Sequence, residues 1–227
     1  MNYKIYNIAY DPSQFDDCEF DIYHNTVKTV EEKSYLFEYN PILNIMEREK
    51  EADYVGIFSW KFAMKTTFFK KKLDYLMEKN PNQDIYTICI PYQDITSVGY
   101  YKFTDDYHPG FMDLFKKVCN DLNLDSREPK NIIFSNFLVV KWDLYKEFIE
   151  NIIKPAIELL ETKYKDLVWK DASYCGPEKA GLTPEKLKEF TGLDYYPFHT
   201  FILERLWSAY LQSRPNIKVL NLTKVKI

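Results

Sequence analysis

Glycine is nearly missing from this chain. Six glycines stand among 227 residues, against 19 tyrosines and 16 phenylalanines. The two common glycine-rich phosphate cradles, GxGxxG and GxxxxGK[ST], are both missing. A chain this aromatic and this poor in glycine is neither a linker nor a fibre. Positive charge is also short: 30 Lys and Arg face 34 Asp and Glu, a net charge of -4. That excludes a broad binder of nucleic-acid backbone, which needs a basic face. Lys70, Lys71 and Lys72 form one local basic cluster, which reads as a solvated helix face. The four cysteines, Cys18, Cys89, Cys119 and Cys175, form no CxxC pair. Cys89 and Cys119 lie in apolar runs and read as reduced, buried thiols. The three histidines, His24, His108 and His199, are too scattered for a zinc site. GxSxG and HExxH are also missing. No apolar run approaches the ~20 residues that span a bilayer. The opening MNYKIYNIAYDPSQ lacks the basic start and apolar core of a signal peptide. The expected setting is cytoplasmic, or peripheral on the inner face of the membrane.

What is present is alternation. YKIYNIAY, ADYVGIFSW and DIYTICI are short runs of strand formers, predicting strands near residues 3–9, 53–58 and 84–90. NIIFSNFLVV reads as one long strand or a strand pair, and NIKVLNL as a last strand. Between them lie helical patterns. Thr29 and Glu32 have capping-box spacing, with Leu36, Tyr39, Leu43 and Met46 behind them. Pro41 must kink that helix or start a second piece. A further helix is expected over residues 63–79. Phe111, Leu114, Phe115, Val118 and Leu122 make the clearest apolar face. Pro155 marks a break or a new start. Thr183, Pro184 and Glu185 are helix-start signals. Strands alternating with helices predict an α/β fold with a mostly parallel sheet and helices on both faces. No repeat or linker divides the chain. It reads as a single domain over 1–227, with 163–195 as an irregular insertion.

In open α/β sheets ligands lie beyond the C-terminal ends of strands. That rule points to Tyr10 and Asp11, to Ser59, Trp60 and Lys61, and to Tyr92, Gln93 and Asp94. Such a set can stack a base or sugar and hold a diphosphate through Lys61; it is equally ordinary loop composition. Asp105, Asp106 and His108 precede a helix. They can hold a divalent ion, or can simply cap and turn the chain. The segment PFHTFILERLWSAYL is apolar almost throughout, yet carries Glu204 and Arg205 side by side. Thr200, Glu204 and Ser208 share one stripe at i, i+4 and i+8. The stripe faces a cleft, or the two charges form an internal ion pair.

Several segments, in order, resemble a bacterial family of capsular-polysaccharide and lipopolysaccharide glycosyltransferases. The family's ADYxGLxHYRR corresponds to ADYVGIFSWKF, residues 52–62. Its Tyr, His and amphipathic helix correspond to DYHPGFMDLFKKVCNDL. Its NMFIMKKELFDEY corresponds to NFLVVKWDLYKEF from Asn136, and its GFLAERLLNVYL to TFILERLWSAYL. The resemblance implies a GT-A-like fold. It also implies transfer of a hexose from a nucleotide-sugar donor to a glycan acceptor. Tyr10, Ser59, Trp60 and Lys61 would meet the donor, and His108 and Asn136 an acceptor or phosphate. Glu204 would accept a proton from a sugar hydroxyl or orient it, Arg205 would offset the charge of the departing diphosphate, and Asp94 would lie by the same pocket. A divalent ion, Mn or Mg, would fall to Asp105 and Asp106, although no Asp-x-Asp motif follows the second strand. HYRR has become Ser59, Trp60, Lys61 and Phe62, which leaves open a protein that binds nucleotide or carbohydrate without the chemistry.

Overall fold

The structure, a computed structural model, describes residues 1–88, 97–173 and 182–225. Six strands form one sheet: β1 (Tyr3–Ala9), β2 (Asp21–His24), β3 (Tyr54–Ser59), β4 (Ile85–Thr87), β5 (Leu138–Lys141) and β6 (Val219–Asn221). Their order is β2-β1-β3-β5-β4-β6. β1 pairs in parallel with both β2 and β3, and β4 with β6. β5 runs antiparallel between β3 and β4. The fold is therefore α/β with a mostly parallel sheet, as the alternation predicts. β5 thus separates β3 from β4. The segment expected as a long strand or a pair contributes only Leu138–Lys141. Its preceding residues Ser135 and Asn136 turn through positive φ, +57° and +53°.

The sheet separates two apolar layers, and the pleat sends alternate residues to each. Tyr6, Ile8, Val55, Ile57, Leu138 and Val140 face the larger core. Ile5, Tyr54, Phe58, Tyr86 and Val139 face the smaller one. Over the larger face lie α1 (Tyr39–Met46), α4 (Tyr100–Tyr107), α5 (Phe111–Asp121), α6 (Trp142–Phe148), α7 (Lys154–Glu161) and α10 (His199–Ser213). The smaller face is covered by α2 (Phe62–Lys65) and α3 (Lys70–Lys79), through Phe62, Leu73, Leu76 and Met77. Gly56 sits where β1, β3 and β5 crowd. A Cβ there would lie 3.2 Å from both Ile5 Cγ1 and Val139 Cγ2.

The proline signals resolve simply. Pro41 lies in the first turn of α1, where its missing N–H costs no helical bond. Pro155 opens α7 after a π-helical turn, Ile149–Ile153, that joins it to α6. In the expected insertion, α8 (Lys165–Val168) and α9 (Pro184–Thr191) are helical. Thr183 caps α9 by accepting from Lys186 N. The central helix α10 buries Leu203, Leu206, Trp207 and Tyr210, and Trp207 stacks on Phe148 at 3.6 Å.

Candidate active site

β1 and β3 are parallel neighbours and end on the same edge of the sheet. β1 leads into Tyr10 and a 3-10 turn, Pro12–Asp17, that Asp11 caps by accepting from Ser13 N. Gln14 closes that capping box by accepting from the Tyr10 and Asp11 amides. β3 leads into Trp60, Lys61 and α2. Between them Asn7 is buried and donates to Ser59 O, which locks the two strand ends together.

A cavity of about 330 Å³ opens at this edge. Tyr10, Gln14, Ser59, Trp60, Lys61 and Lys65 form its strand-side wall. Thr200, Phe201 and Glu204 of α10 face it, with Phe37, Glu38 and Ser135 between. Leu182, Phe190, Thr191 and Tyr196 complete the rim. The four donor-site residues expected from the sequence thus line one cavity, and Glu204 joins them. Trp60 and Lys61 contact each other, the ammonium 5.2 Å from the indole centroid. Ser59 is 5 % exposed, and its hydroxyl has no hydrogen-bond partner among the described residues.

Two carboxylates and two ammonium groups share this space. Glu204 Oε1 accepts from Ser135 N at 2.8 Å and lies 2.6 Å from Arg205 Nη1. Glu38 Oε2 accepts from Asn136 Nδ2 at 3.4 Å, while Asn136 Oδ1 accepts from Tyr39 Oη. Burial pushes the Glu38 carboxyl up to about 7; Glu204 adds to the rise, and Lys65 and Lys61 oppose it. Burial and the neighbouring Lys65 lower Lys61. The Ser135–Asn136 turn therefore stands between the two acids, holding one through a backbone N–H and the other through a side-chain amide. Phe37, also on the wall, has φ +49°. Left-handed backbone in non-glycine residues costs roughly 1–2 kcal/mol each. Its concentration here fits a site whose surroundings over-determine it.

The other expected site residues lie elsewhere. Arg205 is 4 % exposed and does not line the cavity. Its guanidinium lies over the Tyr100 and Phe134 rings, and its Nε donates to Thr104. His108 is buried behind the wall: its Nδ1 is 2.9 Å from Ala172 O, and its ring stacks on Phe201 at 3.9 Å. Asn136 touches Glu38 but does not line the cavity itself. Asp105 accepts from Met112 N, capping α5, and Asp106 pairs with Lys102. Neither aspartate reaches the cavity. Tyr92, Gln93 and Asp94 lie outside the described residues. Among the described residues, no three His, Cys, Asp or Glu gather as a metal site.

Sequence reasoning missed Glu38 and Lys65. Glu38 had a readable signal: it is a lone acid inside the apolar run SYLFEYNPILNIM. Lys65 has none, since it sits in a lysine-rich stretch.

No family model and no curated protein matches the chain. Among solved structures the fold resembles that of WbbM, a bifunctional glycosyltransferase solved in its apo form. The TM-score is 0.58 at 14% sequence identity, over 97% of this chain. The chain spans 44% of WbbM's length. The likeness extends over nearly the whole of this chain, so its α/β architecture is one that a glycosyltransferase also has.

Proposed function

We propose that this chain transfers a hexose from a nucleotide-sugar to a glycan acceptor, in the synthesis of a surface polysaccharide. The observation that carries the reading is the cavity itself. It lies at the C-terminal ends of two parallel strands, with a lysine pair on one wall and a carboxylate pair across from it. The fold shared with a glycosyltransferase supports it.

Trp60 and Tyr10 supply apolar faces for the base or sugar. Lys61 and Lys65 meet the diphosphate, and the Ser59 hydroxyl gains a partner there. The acceptor hydroxyl oxygen attacks the anomeric carbon. The bond from that carbon to the diphosphate oxygen breaks, and its electron pair leaves with the nucleoside diphosphate. Glu38 takes the acceptor proton, since a carboxyl near pH 7 is matched to that task. Glu204, fixed by the Ser135 amide, orients the hydroxyl. The lysines offset the charge that develops on the leaving oxygen. Asp105 and Asp106 stand outside the cavity, so no step runs through a metal ion held there.

Thermal shift with a panel of nucleotide-sugars, with and without Mn²⁺, tests the reading. A ligand at a hundred times its dissociation constant stabilises by ~2.7 kcal/mol, an easily read shift. No response to any nucleotide would sink the proposal. Binding without transfer to any glycan would leave the alternative, a protein that binds nucleotide or carbohydrate without the chemistry.

A further inference from the structure

The charge of this chain is unevenly placed. No acidic residue stands between Asp53 and Asp74, while Lys61, Lys65, Lys70, Lys71 and Lys72 all do. The chain as a whole is negative. These lysines lie at the N-cap and end of α2 and in the first turn of α3, a segment where large apolar side chains are also exposed. Met64 is 60% exposed and Phe69 49%. Phe69 immediately precedes the first turn of α3, and Lys70 and Lys71 follow it into solvent. Two acids border the patch. Glu19 accepts from the Lys70 amide, and Asp74 accepts from the Tyr3 hydroxyl. Below this surface, Phe68, Leu73, Leu76 and Met77 anchor the segment to the smaller core. Met64 and Phe69 are thus left outside although the chain beside them is firmly packed.

We infer that the exposed face of α2 and α3 is a docking surface for an anionic lipid bilayer. Ammonium groups draw the surface to acidic headgroups, and interleaved apolar side chains enter the boundary between headgroup and acyl chain. Charge complementarity selects this partner. Three lysines in the first turn of α3 oppose its dipole, a cost that an anionic surface relieves. Nucleic acid fits less well: of Met64 and Phe69 only the phenylalanine can stack on a base, whereas both can enter an acyl boundary. No described helix is long and apolar enough to cross a bilayer, so the contact is with the membrane surface. The patch continues into the cavity rim through Lys61 and Lys65, so docking would hold the cavity mouth near the headgroups. The inference rests on the surface alone and not on the transfer reaction.

Co-sedimentation with lipid vesicles tests it. The full chain should partition to phosphatidylcholine vesicles holding about 30% phosphatidylglycerol, and far less to pure phosphatidylcholine. Partitioning should fall as salt rises, because the attraction is screened. Each lysine near such a surface contributes about fivefold, so Lys70→Gln, Lys71→Gln and Lys72→Gln together should lower partitioning on the order of a hundredfold. Met64→Ser with Phe69→Ser should weaken it further at high salt, where the apolar contribution dominates. Both variants keep the cavity intact, so the thermal shift with nucleotide-sugar should be unchanged; that readout separates failure here from failure of the transferase reading. Equal partitioning to neutral vesicles, no partitioning at all, or an unaffected triple variant would overturn the inference. So would single-stranded RNA that displaces the vesicles.

Discussion

Replacing Glu38 by glutamine should stabilise the protein at high pH and silence transfer together. An exposed glutamate titrates near 4.5, whereas Glu38 holds its proton to about 7. Between those values the folded chain binds more protons than the unfolded one, so stability falls as pH rises through that window. Above pH 7 the loss is complete. A shift from 4.5 to about 7 corresponds to about 3 kcal/mol. The carboxyl opens onto a cavity rather than lying in a sealed core, which lowers the effective figure to roughly 1–3 kcal/mol. Glutamine keeps the shape, still accepts from Asn136 Nδ2, and has no charge to bury. Scanning calorimetry of Glu38→Gln should therefore show a higher Tm near pH 8, by on the order of 5 °C. Near pH 5 about a quarter of that gain should remain. Transfer should fall by ~10²–10⁴ in kcat/KM if Glu38 takes the proton. The wild-type kcat/KM should rise with pH through about 7. A gain in Tm that is the same at both pH values, or a loss, would show that Glu38 carries no such burden. An active variant with a flat wild-type profile would remove it from the chemistry.

Other perturbations address other parts of the site. Lys61→Ala should weaken nucleotide-sugar binding more at low salt than at high salt in titration calorimetry, because a solvent-facing charge contact is screened. Glu204→Gln should lower the Tm, since Arg205 is buried and loses its neighbouring charge; a cost of roughly 1–3 kcal/mol is expected, below the usual figure because Glu204 is partly exposed. Nucleotide-sugar binding should survive that change. Ser208→Ala should cost roughly 1–3 kcal/mol in urea unfolding, because the fully buried Ser208 hydroxyl accepts from Ile133 N and the alanine leaves that amide unpaired.

The elements that declare themselves in the sequence are those with one local cause. The α5 helix follows its apolar stripe, α9 its Thr183 cap and Pro184, and β1 and β3 their runs of strand formers. Other features depend on partners remote in the chain. The strand β2 is an exposed edge with no apolar alternation to read. The antiparallel insertion of β5 leaves no mark in Leu138, Val139 and Val140, which are equally apolar in either direction. The Thr29 hydroxyl does accept from Glu32 N, and it donates to the Glu32 carboxylate. These contacts cap only turns, because Lys33 takes φ +61° and stops the helix there. The wall of Tyr10, Ser59, Trp60 and Lys61 was legible because it follows from strand ends. The meeting of Glu38 with Glu204 was not, because the Ser135–Asn136 turn that joins them belongs to a third segment.

That turn explains why an apolar helix keeps two adjacent charges. Arg205 and Glu204 point to different surroundings. The arginine is packed among aromatic rings beneath α4, and the glutamate reaches the cavity. The pair bridges core and site. Glu204 receives the Ser135 amide, whose backbone is left-handed, and the next residue holds Glu38. Each part is costly alone: two consecutive non-glycine residues at positive φ, a carboxyl forced toward neutrality, and a second acid beside it. An apolar residue at 38 would have no charge to bury. Strain and unfavourable charge concentrated in one turn, beside an open cavity and a lysine pair, are features that the proposed transfer at that cavity would account for.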